Sequence, residues 1–124
     1  MLSAEQIMNA YVAAWNAQDA GTRLDLLQQS MAEDAIIAYP SLEARGWEDI
    51  SAILASVQQR IPGAKIIRTS GVEEYHGWLR AAWRMLKADG SLLLDGEDVA
   101  EMASDGRLGR VIGFHDPLPP PEIA

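Results

Sequence analysis

Apolar positions recur at helical spacing in the first half of the chain and at a period of two in the second half. Ile7, Met8, Tyr11, Val12 and Trp15 share one face of a predicted helix. Ser3 stands where an N-cap belongs, with Glu5 and Gln6 in the first turn. The stretch from Asn16 to Gly21 breaks the pattern. A second short helix reads from Arg23 to Met31, and a strand from Glu33 to Tyr39 that Pro40 ends. Gly46 to Arg60 reads as a third helix, with Trp47, Ile50, Ile53, Leu54 and Val57 on one stripe and Pro62-Gly63 closing it.

From Ala64 onward, alternation takes over. Ala64 to Tyr75 reads as a strand bulged at Gly71. Gly77 to Lys87, Leu92 to Ala103 and Leu108 to His115 follow as three more, joined by turns at Ala88–Ser91 and Ser104–Arg107. The order predicts an α+β fold, with a curved, mostly antiparallel sheet wrapped around the N-terminal helices as a cone. Residues 1–116 read as one domain, and residues 117–124, LPPPEIA with the preceding Pro117, as an extended proline-rich tail. The mouth of such a cone suits a small ligand.

The parity of two strands then singles out one residue. In the strand from Gly77, Leu79, Ala81, Trp83 and Met85 form an apolar row, while Arg80 and Arg84 lie on the other face. In the next strand Asp95, Glu97 and Glu101 share the polar face, opposite Leu94, Gly96, Asp98, Ala100 and Met102. A basic row beside an acidic row predicts cross-strand ion pairs outside, which places Asp98 inside. In the last strand both faces carry apolar residues, so alternation alone does not orient Val111, Gly113 and His115.

Composition narrows the chemistry. The 124 residues carry a net charge of −8, which disfavours nucleic acid as a partner. The absence of cysteine removes disulfides, zinc–thiolate sites and thiol catalysis, and suits a cytoplasmic protein. The N-terminus lacks the basic start of a signal peptide, and no uninterrupted apolar stretch is long enough to span a membrane. The two histidines lack metal-site spacing, and no glycine fingerprint calls for a nucleotide, so neither metal nor organic cofactor is expected.

Four segments, AYVAAWNAQD at 10–19, AEDAIIAYP at 32–40, ARGWEDI at 44–50 and GEDVAEMASDGRLGRVIGFHDPLP at 96–119, resemble the nuclear transport factor 2-like superfamily in its branch of ketosteroid isomerases and SnoaL-like polyketide cyclases. The resemblance implies a cystatin-like cone-shaped barrel. Ketosteroid isomerases hold a Tyr and a neutral Asp that donate to a developing enolate oxygen. The match puts Tyr11 and Asp98 at those positions and turns Val111, Gly113 and His115 toward the cavity. At the position of the proton-shuttling aspartate, before a proline, stands Tyr39. A phenol of ordinary pKa near 10 is a poor base at neutral pH, so steroid isomerisation by that route is not expected. In the cyclase branch the acid/base is an Asp of the meander, which would match Asp98.

The expected catalytic set is therefore Asp98 for proton transfer, Tyr11 to polarise an oxygen, and His115 near enough to Asp98 to share the proton. Trp15, Tyr39, Trp83, Met85 and Val111 are expected to bind substrate. The implied activity is that of a cofactor-independent isomerase, cyclase or lyase acting on a hydrophobic carbonyl or enol compound. The alternative is a non-catalytic small-ligand-binding protein of the same fold, with Asp98 merely satisfied by backbone groups or by Tyr11. Trp78, on the outer face, predicts a homodimer through that surface.

Overall fold

A computed structural model describes residues 2–123. Helix α1 spans Ala4–Asn16, and its start is fixed by a reciprocal cap. The Ser3 hydroxyl accepts from the Gln6 amide at 3.1 Å, and the Gln6 side chain accepts from the Ser3 amide at 2.9 Å. At its far end the Asn16 side chain donates to the carbonyl of Ile66 and accepts from its amide, each at 2.8 Å, tying the helix to the sheet. Helix α2, Ala20–Ser30, is capped by Asp19. Helix α3, Trp47–Arg60, follows Gly46, whose φ of 83° permits a sharp entry from the preceding strand. The Trp47 indole donates to the Met31 carbonyl at 3.0 Å, a structural use of that ring.

The strands are β1 Met31–Tyr39, β2 Leu42–Arg45, β3 Lys65–Arg68, β4 Glu73–Tyr75, β5 Trp78–Leu86, β6 Leu92–Met102 and β7 Leu108–His115. They form one mixed sheet in the order β2-β1-β7-β6-β5-β3, with β4 also on β5. Only β1 and β7 run parallel. The sheet stays open, with β2 and β3 at its two ends, so the cone is not a closed barrel. Its concave face meets the three helices, and the core between them includes Ile7, Leu27, Ile37, Ile50, Leu54 and Leu108, all essentially inaccessible.

The predicted parity of β5 and β6 holds. Leu79, Ala81, Trp83 and Met85 are buried; Arg80 and Arg84 are exposed. Arg84 pairs with Asp95 at 2.8 Å, and Arg80 with Glu73 at 2.8 Å and Glu97 at 3.4 Å. Glu101, expected in this row, stands opposite Trp78 instead.

Three local readings differ from the structure. The single strand from Ala64 to Tyr75 is two. Between the pairs Arg68↔Trp83 and Glu73↔Arg80, four residues on one side face two on β5. The excess loops out at Ser70-Gly71, where the Ser70 hydroxyl accepts the Ala82 amide at 2.8 Å. Strand β2 was hidden because Pro40 ends β1 only by turning the chain straight back along it. Finally, a register shift between Met85 and Leu86 breaks the alternation at the start of β6. Leu93, which simple parity puts outside, comes to the concave side.

Candidate functional site

A cavity of about 270 Å³ opens on the concave side of the sheet, between β1, β5, β6 and β7 and the facing sides of α1 and α3. Its walls are chiefly apolar. Trp15, Tyr39, Trp83 and Met85 all line it, as do Tyr11, Asp98 and His115. Val111 does not: it is fully buried in the core, on the right face of β7 but too deep to border the space.

Asp98 sits on the floor at 4% exposure. The register explains its surroundings. Asp98 pairs with Ala81 on one side and Gly113 on the other, so its diagonal same-face neighbour on β5 is Trp83. The Trp83 indole N–H donates to Oδ1 at 3.0 Å. Burial pushes the carboxyl up to about 7; the Tyr39 hydroxyl beside it and the Trp83 hydrogen bond, which favour the ionised form, hold it back from rising further. The group is thus poised between its two protonation states at neutral pH, which suits general acid/base work.

Tyr11 does not reach Asp98 by a hydrogen bond. Its hydroxyl meets that of Tyr39 at 2.8 Å, and Tyr39 is the phenol close enough to the carboxyl to favour its ionised form. The polar floor therefore holds two hydrogen-bonded pairs, Tyr11 with Tyr39 and Trp83 with Asp98, with Tyr39 beside the carboxyl. Burial, with the nearby Asp98 charge adding to it, raises both phenols above their ordinary range, so each remains protonated.

His115 borders the same cavity and lies edge-on to Trp83, with ring centroids 6.0 Å apart. It makes no hydrogen bond with Asp98, because the indole fills the space over Gly96, the residue paired with His115. Two glycines make this packing possible. A Cβ on Gly96 would come within 2.2 Å of Trp83 Cζ2, and one on Gly113 within 1.9 Å of Tyr39 Cε1. These glycines seat the two aromatic rings, and glycine inside a strand was the signal available for it. Sequence reading also missed Ser41 and the end of α3, which brings Val57, Arg60 and Ile61 to the wall.

The described residues contain no helix long and apolar enough to cross a membrane and no group of three potential metal-ligating side chains among His, Cys, Asp and Glu.

Comparison with solved structures places this architecture. A candidate isomerase of the SnoaL-like family from Agrobacterium tumefaciens strain C58 is 30% identical, with a TM-score of 0.84 over 90% of this chain and 95% of its own. The chain belongs to the SnoaL-like family. Within the wider nuclear transport factor 2-like superfamily, a protein of unknown function from Exiguobacterium sp. 255-15 superposes on this SnoaL-like chain with a TM-score of 0.71 at 20% identity, over 89% of this chain and 98% of its own. A candidate polyketide cyclase from Sinorhizobium meliloti does so at 0.69 and 15% identity, over 87% and 93%. These two more distant likenesses extend to the fold alone. No family model and no curated protein sequence matches this SnoaL-like chain.

Proposed function

We propose that this protein is a cofactor-independent enzyme that moves a proton on a small hydrophobic carbonyl or enol compound, with Asp98 as the acid/base. The observation that carries the proposal is the buried Asp98 carboxyl, poised near neutrality on the floor of an apolar cavity. An empty apolar cavity of about 150 Å³ accommodates benzene. A space of about 270 Å³ suits a body of one or two rings and is too small to enclose a four-ring steroid. That agrees with the loss of the shuttling aspartate at Tyr39.

The chemistry follows from the groups on the floor. An ionised Asp98 takes a proton from the carbon beside a carbonyl, and the electron pair moves onto the oxygen. Tyr39, beside the carboxyl, donates to the new enolate oxygen, backed by Tyr11. Return of the proton to a different carbon gives isomerisation; attack of the enolate carbon on a second carbonyl gives cyclisation. His115, on the same wall but not bonded to Asp98, would serve a separate proton or orient the ligand.

A direct test uses 2-tetralone, a two-ring ketone, in D₂O. Wild-type protein is expected to speed exchange of its α-hydrogens for deuterium, followed by NMR. Asp98→Asn should abolish the acceleration while calorimetry still detects bound tetralone. Binding without accelerated exchange in the wild type would instead favour a non-catalytic binding protein.

We also infer a homodimer through the outer sheet face. Trp78 is 45% exposed there, beside Tyr75 and on the same surface as Phe114. Light scattering on Trp78→Glu checks this: the expected result is a shift from dimer to monomer.

A further inference from the structure

The polar groups around the cavity fall into two sets. The floor carries Asp98 with its phenols. The rim carries three groups that the proton chemistry leaves largely unused: Ser41, Arg60 and His115. Of these, Arg60 alone bears a fixed positive charge. It is the last residue of α3, exposed to solvent and on the cavity wall.

Arg68, Arg80, Arg84 and Arg107 each hold a carboxylate. Among the described residues Arg60 forms no ion pair, and neither do Arg23, Arg45, Arg110, Lys65 and Lys87; of these six only Arg60 borders the cavity. A cation in the last turn of a helix complements the helix dipole, but that role does not require the side chain to border an apolar cavity. Anionic groups have a single favourable place here. On the floor they would face a carboxyl whose own charge is already penalised by burial; at the rim they meet a planar guanidinium that matches a carboxylate with two parallel hydrogen bonds.

We infer that Arg60 determines specificity: the ligand is a hydrophobic carboxylate, its one- or two-ring body in the cavity and its acid group paired with Arg60 at the rim. The inference rests on the proposed function, since that pairing directs the opposite end of the ligand toward Asp98. Ser41 also borders the cavity.

The test compares 2-naphthoate with its neutral methyl ester by calorimetry at fixed pH and low salt. Wild-type protein is expected to bind the acid about tenfold more tightly than the ester, the size of a partly exposed charge-assisted contact. Arg60→Gln should bring the ratio near one by weakening the acid alone, and Arg60→Lys should retain part of the preference. Circular dichroism confirms that both variants fold. Equal binding of acid and ester by the wild type, or an unchanged ratio in Arg60→Gln, would overturn the role of Arg60 while leaving the cavity reading intact. Failure of both probes to bind would overturn the cavity reading, and this inference with it.

Discussion

Asp95 and Asp98 stand three positions apart on the same strand and lead opposite lives. Asp95 projects from the convex side of β6 into solvent, where it pairs with Arg84 at 2.8 Å. Asp98 projects from the concave side into an apolar hollow, with an indole for its hydrogen-bond partner, a phenol nearby and no ion pair. The side-chain chemistry is identical; the odd spacing and the period of two do the sorting. The outer carboxylate is a register marker that costs and contributes little. The inner one is held in a state that water would not permit. The proposed function depends on a charge being denied its usual compensation.

The sharpest way to break that contrast is to remove the inner acid. Asp98→Asn should lower turnover of any substrate by roughly 10²–10⁴-fold, whereas Asp95→Asn should leave turnover unchanged; steady-state kinetics compares the two.

The same variant separates catalysis from stability. Asp98 has a folded-state pKa of about 7 against an ordinary value of 3.8. Between those values the folded protein binds more protons than the unfolded chain, so stability falls as pH rises from about 4 to about 7 and then levels off. At about 1.4 kcal/mol per unit, the loss is up to about 4 kcal/mol. Asp98→Asn should flatten that slope and make the protein more stable than wild type at pH 8, as denaturant melts at pH 4 and pH 8 would report.

The glycine seats sharpen the comparison at a smaller scale. Gly96→Ala places a methyl group against Trp83 and the Phe114 carbonyl, and should cost about 1–3 kcal/mol through overpacking. It should also disturb the indole bond to Asp98, which Gly71→Ala, with nothing within 4 Å of the new Cβ, would not. Smallest of all, Arg84→Ala breaks only an exposed ion pair and should leave the denaturant midpoint nearly unchanged.

Much of this arrangement was legible in the sequence, because period and charge spoke together. The Arg80 and Arg84 row against Asp95 and Glu97 fixed the parity of two strands, and Asp98 followed. The cap at Ser3 and the helical face from Ile7 to Trp15 likewise needed only local rules. The missed features arise where local rules meet distant partners. Leu93 changes face through a bulge that depends on the register of β5. Strand β2 exists only because β1 offers it an edge. Tyr11 was matched to Asp98 by analogy with an enzyme that has a small carboxylate where Tyr39 stands; here Tyr39 takes the Tyr11 hydrogen bond instead. Arg60 reaches the cavity through the packing of α3 across the sheet, which no spacing along the helix reveals.

The central claim is that Asp98 is kept from ionising until near neutral pH. Carbon-13 NMR of aspartate-labelled protein measures this directly, with the Asp98 carboxyl resonance identified by its absence in Asp98→Asn. The account predicts a midpoint of about 7, moving higher in Trp83→Phe, where the indole bond to the carboxylate is lost. A midpoint near 4, the ordinary carboxyl value, would contradict it.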